Sequence, residues 1–259
     1  MSLMPTLFTA HGNPMNALGG TPFSRFLEGW VEDIPRPRAI LCISAHWERH
    51  GLAVTMSLNP ETLHDFYGFP EELYLITYPA KGMLEVGEEV ITLLGSGGYI
   101  VDRDQSRGLD HGTWAPLRFL YPDADIPILQ LSLPVELPLS ELITIGERLS
   151  PLRESGVLIM GSGNLVHNLS RVDFKHRDAP VLEWADRFDD DIKEWILTRD
   201  YQKLREPWMS SPAGKVSHPT LEHYAPLLVA MGAGGSSPVT FAFEGFEHGS
   251  ISMRSVRFG

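Results

Sequence analysis

Apolar runs along this chain repeatedly end in small residues followed by a histidine. Thr6-Leu-Phe-Thr leads into Ala10-His11, Ala39–Ser44 into Ala45-His46, and Val157–Met160 through a Gly-Ser-Gly-Asn turn to His167. Each run is short and continuously apolar, the pattern of strands buried on both faces. Leu52–Met56, Tyr99–Asp102 and Ile126–Leu133 predict further strands. Helical stretches lie between them. Phe23–Val31 is stopped by Pro35 and Pro37, and Met83–Leu94 ends at Gly95 and Gly97-Gly98. An apolar helix is expected near Pro116–Tyr121, another over Leu139–Leu152, ended by Gly156, and a third over Val181–Leu197 with an acidic face of Asp186, Asp189, Asp190 and Asp191. Leu221, Tyr224, Leu228 and Met231 fall at helical spacing, and Pro226 must kink that helix or mark a later start. Val239–Glu244 and Ser250–Phe258 alternate like an antiparallel pair.

Strands alternating with helices predict the α/β class, a central mixed and mostly parallel sheet with helices on both faces. No repeat, low-complexity tract or linker interrupts the pattern. Ser210-Ser-Pro-Ala-Gly-Lys is too short to separate domains, so one domain over residues 1–259 is expected.

Composition narrows the partners. Hydrophobic residues are 43% of the 259, enough for a large core. Lys and Arg number 21 against 33 Asp and Glu, a net charge of −12, which argues against nucleic acid or an anionic membrane as partner. Met1 to Pro5 lacks the charged start of a secretory leader, and no apolar run approaches the roughly 20 residues of a membrane span. A soluble cytoplasmic protein is the expectation. Cys42 is the lone cysteine, so no intrachain disulfide or thiolate-built zinc site can form; in its apolar run it reads as a small buried hydrophobe.

The candidate chemistry is therefore histidine chemistry. Ligands of open α/β sheets bind outside the carboxyl ends of the strands, and neutral imidazole is the commonest metal ligand. His11 and His46 occupy such ends, where each could equally cap a loop. If their strands were adjacent and parallel, both could reach one ion, whose bonds to nitrogen are about 2.0–2.1 Å. His223, read as helical, would flank the apolar stripe, with Glu222 about 100° away on the same helix, so that one of the two faces a site. His167 could be a fourth ligand or a free acid/base. The segment before it is neither a nucleophile elbow, because Met160 stands two before Ser162, nor a dinucleotide fingerprint, because Val166 replaces the third glycine. His111, in Asp-His-Gly, has the same two options, or is a loop histidine held by Asp110. His64 lies in an aromatic loop, and His50, His176, His218 and His248 read as surface residues.

Seven stretches, in order from about Leu7 to the C-terminus, carry a resemblance: His11-Gly-Asn-Pro-Met; Pro37-Arg-Ala-Ile with Ser44-Ala-His-Trp; His64-Asp-Phe-Tyr-Gly-Phe-Pro; Leu109-Asp-His-Gly-Thr-Trp; Tyr121-Pro-Asp-Ala-Asp-Ile-Pro; Ser162-Gly-Asn-Leu-Val-His-Asn; and Glu222-His-Tyr-Ala-Pro-Leu-Leu. Together they resemble the DOPA-dioxygenase type of extradiol aromatic ring-opening dioxygenase, in the superfamily of the protocatechuate 4,5-dioxygenase beta subunit. The resemblance implies one α/β domain with a mixed sheet, and His11, His46 and His223 as metal ligands. It implies His167 as catalytic acid/base, able to approach the metal when no substrate is bound, and His111 as a second-sphere or substrate-contacting residue. Better-known members hold ferrous iron with two histidines and a glutamate; the DOPA branch has histidine at the third position, as here, and a bacterial relative has been seen with zinc. The implied cofactor is one divalent ion, Fe2+ for turnover or Zn2+ as found. The implied partners are a small aromatic diol and O2, with the aromatic loop, Trp47 and Trp114 stacking on the ring. The same histidines would also serve a zinc hydrolase with an open water position, and four of them could close a metal-binding site without turnover.

Overall fold

Residues 3–259 are described by the computed structural model. Met1 and Ser2, at the head of the expected domain and of the stretch without a leader's charged start, lie outside the described residues. A central sheet is built from β1 (Thr6–Ala10), β2 (Ala39–Ser44), β3 (Ile128–Gln130), β4 (Val157–Gly163), β5 (Val239–Phe243) and β6 (Ser255–Phe258). Their order is β3-β2-β4-β1-β6-β5. The first four run parallel, and β6 pairs antiparallel with β1 and β5, so the sheet is mixed and mostly parallel as expected.

Alternate residues of the parallel strands feed two cores. Leu7, Ile40, Cys42, Leu158 and Met160 pack with α1 (Pro22–Trp30) and α3 (His111–Leu120). Phe8, Leu41, Ile43, Val157 and Ile159 pack with α2 (Leu84–Ser96), α4 (Leu139–Leu149), α5 (Glu183–Thr198) and α6 (Ala225–Gly234). Each such side chain contributes about 1.5–3 kcal/mol by leaving water, which is why the runs are apolar throughout rather than alternating.

Several expectations shift, each for a local reason. α3 begins at His111, not near Pro116, because the Asp110 carboxylate caps it by accepting the Thr113 N–H. α6 starts late, with Pro226 in its first turn, and it is buried all round, so there is no stripe for His223 to flank; His223 precedes the helix. β4 continues through Gly161-Ser-Gly163, expected as a turn. A Cβ at Gly161 would lie 2.4 Å from the Pro226 carbonyl oxygen, and one at Gly163 2.0 Å from that of His223. Those glycines serve close approach rather than turning.

The Leu52–Thr55 and Val101–Asp104 strands pair with each other outside the central sheet, the second starting two residues later than expected. The expected Ile126–Leu133 strand divides into β3 and a Leu133–Pro134 piece that pairs with Glu48–Arg49. Asp189 is not on an exposed acidic face but buried against Arg254. His218 and His248 are buried, not surface residues: each ring donates to a backbone carbonyl, that of Leu165 (2.8 Å) or of Asp173 (3.0 Å). Cys42 is buried as expected. Among the described residues, no helix is long and apolar enough to cross a membrane.

Candidate metal centre

β1 and β2 are parallel but not the adjacent pair that would by itself bring His11 and His46 together; β4 lies between them. Its last residues pull the centre together. The His11 N–H donates to the Gly163 carbonyl (3.2 Å), the Ala45 N–H to that of Ser162 (3.0 Å), and the Asn164 N–H to that of His223 (2.9 Å). Three segments distant in sequence thus share one template. Gly12, at φ 61°, turns the chain away directly after His11.

The imidazoles of His11, His46 and His223 form a nearly equilateral triangle, with ring centroids 4.9, 5.1 and 5.0 Å apart. Their nearest ligand atoms all lie within 4.8 Å of one another. The Nε2 atoms of His11 and His46 are 3.0 Å apart. Two nitrogens about 2.1 Å from a common ion and about 90° apart would be separated by about 3.0 Å, so the residues present fit a metal.

Hydrogen bonding sets the tautomers. Ser162 Oγ donates to the Gly112 carbonyl (2.5 Å), so it accepts from His11 Nδ1 (3.0 Å). His223 Nδ1 donates to Glu222 Oε1 (3.1 Å). Both rings therefore carry their proton on Nδ1 and leave a lone pair on Nε2. Glu222 does not point away from His223, because the segment is a turn and not a helix. Burial and the neighbouring histidines push His11 and His223 well below the usual imidazole range. Burial and His111 bring His46 to about 4. The triangle is neutral at neutral pH, the state a metal needs.

Two more histidines flank it. His167 stacks on His223, with centroids 3.5 Å apart and planes 9° apart. Burial and His218 lower it to about 3. His111 has its ring 4.0 Å from that of His46 and 5.5 Å from that of His11. Its partner is Asp65, not Asp110: Asp65 Oδ1 accepts both the backbone N–H and Nδ1–H of His111, at 2.9 Å each. Burial works to raise the Asp65 pKa, yet its bonds with His111 hold it near 2. Nothing in the spacing pairs residues 65 and 111, so sequence reasoning misses Asp65 although it lies in the aromatic loop.

The centre opens into a cavity of about 480 Å³ lined by Ala45, His46, Glu48, Thr220, Glu222 and His223. The aromatic loop reaches the flanking histidine, with Phe66 edge-on to His111 at 5.5 Å. Trp114 is fully buried, with Nε1 donating to the Leu63 carbonyl, and Trp47 is largely buried with the Arg107 guanidinium over its ring, so neither presents an open face of the kind expected to stack on a ring.

Residues 6–259 match the family described as the catalytic LigB subunit of aromatic ring-opening dioxygenase. The chain is 40% identical to a 4,5-DOPA dioxygenase extradiol of Escherichia coli (strain K12), over 99% of this chain and 95% of that protein. It is 38% identical to a protein of the same name from Beta vulgaris, over 99% and 97%. The crystal structure of an uncharacterized protein from Escherichia coli K12 aligns with a TM-score of 0.85 at 37% identity, covering 99% of this chain and all of the other.

Proposed function

The chain belongs to the family of catalytic LigB subunits of aromatic ring-opening dioxygenases, and from that premise we propose that it opens a small, DOPA-like catechol with O2 at one ferrous ion held by His11, His46 and His223. The observation that carries this reading is the neutral triangle, with two of its rings pinned at Nδ1 and Nε2 left free. Bound there, the ion supplies Lewis acidity toward the catechol hydroxyls and the redox capacity for dioxygen chemistry.

The chain's own groups then divide the work. His167 is unprotonated at neutral pH and lies against His223, so a ring nitrogen can take the proton of a catechol hydroxyl and later return it. The negative charge of the catecholate raises the proton affinity of His167, which suits both steps. His111, its Nδ1 proton pinned by Asp65, offers Nε2 as a hydrogen-bond acceptor to the bound diol. The open groove lined by His46, Glu222 and His223 leaves a substituted ring room to approach the ion from the surface.

The test is anaerobic preparation, separate loading with Fe2+ and Zn2+, and measurement of O2 uptake with DOPA and simpler catechols. Uptake with iron alone and a yellow ring-opened product is the expected result. No uptake with any catechol, despite one metal per chain, overturns the reading and points to zinc chemistry, which the all-nitrogen ligand set would also serve.

A further inference from the structure

His11 and His223 are each held by a hydrogen bond at Nδ1, to Ser162 and to Glu222. His46 has no such hold. Its Nδ1 lies 3.7 Å from Asp65 Oδ2, beyond hydrogen-bond reach. With no bond at Nδ1, its ring is aimed by its backbone together with the His111 ring packed 4.0 Å from it, and both sides of that backbone lead to one carboxylate.

Asp110 is fully buried. Its Oδ1 accepts from Ser44 Oγ at 2.7 Å, and Ser44 Oγ in turn accepts the His46 N–H at 3.2 Å. Its Oδ2 accepts from Gln130 Nε2 at 2.6 Å and from Arg107 Nη2 at 3.1 Å. The same Arg107 nitrogen donates to the His46 carbonyl at 3.0 Å. Asp110 also caps α3, whose first residue is His111. A Cβ on Gly112 would lie 2.4 Å from Ser44 Oγ and 3.0 Å from His46 Cδ2, so α3 packs directly onto this clamp.

We propose that Asp110 is a positioning residue which, through Ser44 and Arg107, aims His46 at the metal, and through the cap of α3 places His111 beside it. The inference rests on the metal site proposed above. A fully buried carboxylate is costly to keep. Here Ser44, Thr113, Gln130 and the Arg107 guanidinium satisfy it, and two of those partners lead on to the single ligand that lacks a side-chain anchor.

The probe is zinc alone, titrated into metal-free protein against a chelating dye, together with nitrogen NMR of the histidine rings. Asp110→Asn would put an amide donor where Gln130 and Arg107 also donate. Arg107→Gln removes the bond to the His46 carbonyl from a partly exposed position, and it decides the matter should Asp110→Asn not fold. Both variants are expected to weaken zinc binding about 10–100-fold, the usual effect of losing an outer partner. The ring signals of His46 should move while those of His11 and His223 stay, and Arg107→Lys should recover part of the affinity. Arg103→Gln, which removes an exposed pair with Glu88, should leave affinity unchanged. Wild-type affinity in folded Arg107→Gln, or equal movement of all three rings, overturns the clamp. A wild-type chain that binds no zinc overturns the metal site as well.

Discussion

Asp189 is answered on every side: Arg254 Nε donates to it at 2.7 Å, Ser252 Oγ at 2.5 Å, and the same arginine also reaches Glu244. At the strand ends, the Nε2 of His11 meets that of His46, nitrogen facing nitrogen. One cluster is complete with protein atoms alone. In the other, among the described residues, the lone pair that His11 leaves on Nε2 meets only another imidazole nitrogen, and His223 turns its own free Nε2 toward the same point. A closed cluster ties the segment just before β6 to α5 and asks for nothing more; an open one marks where something else belongs.

Breaking the closed cluster should cost stability and leave the centre alone. Asp189→Ala leaves Arg254 buried with only the more exposed Glu244 and Asp190 beside it, and urea unfolding should show a loss of about 3–5 kcal/mol with zinc content unchanged. Breaking the open cluster should do the reverse. His167→Ala should keep its metal while turnover falls about 10²–10⁴-fold, whereas His223→Ala should lose the metal; equal metal loss in both would end the division of roles. Filling the open cluster sharpens the contrast. Zinc at 100 times its dissociation constant should stabilise the wild type and Asp189→Ala alike by about 2.7 kcal/mol and leave His223→Ala unmoved in thermal unfolding.

The smallest effect is on pH dependence. His46 and His167 sit at about 4 and about 3 in the folded chain, against about 6.5 unfolded. The unfolded chain therefore binds more protons between those values. Their contribution is complete above about pH 6.5 and is lost as pH falls toward 4 and then 3. Calorimetry of the metal-free protein should show that loss, and His167→Ala should flatten it.

What was legible in the sequence was local. The strand-end histidines stood out because an apolar run, small residues and an imidazole are contiguous, and the alternation of strands and helices gave the fold class. What was hidden depended on distant pairing. Strand order is not written in any one strand, so β4 between β1 and β2 could not be seen. Pro226 announced a late helix start, but that His223 would sit in the preceding turn beside Glu222 followed only once the turn packed on Gly163. Asp65 and Asp110 lie within the motifs that carry the resemblance, yet their partners, His111 in one case and Ser44 and Gln130 in the other, are tens of residues away. His218 and His248 sit in polar, aperiodic stretches, and the aromatic rings and carbonyls that meet them in the fold lie far off in sequence or are not marked by any spacing.

Because His11, Ala45 beside His46, and His223 all register on residues 162–164, the order of events during synthesis is constrained. At about 5–20 residues per second, a ribosome adds His223 roughly 10–35 s after His46. Until then the nascent chain offers scattered imidazoles with no common focus. If the three hold an ion as proposed, its capture has to follow folding rather than accompany the growth of the chain.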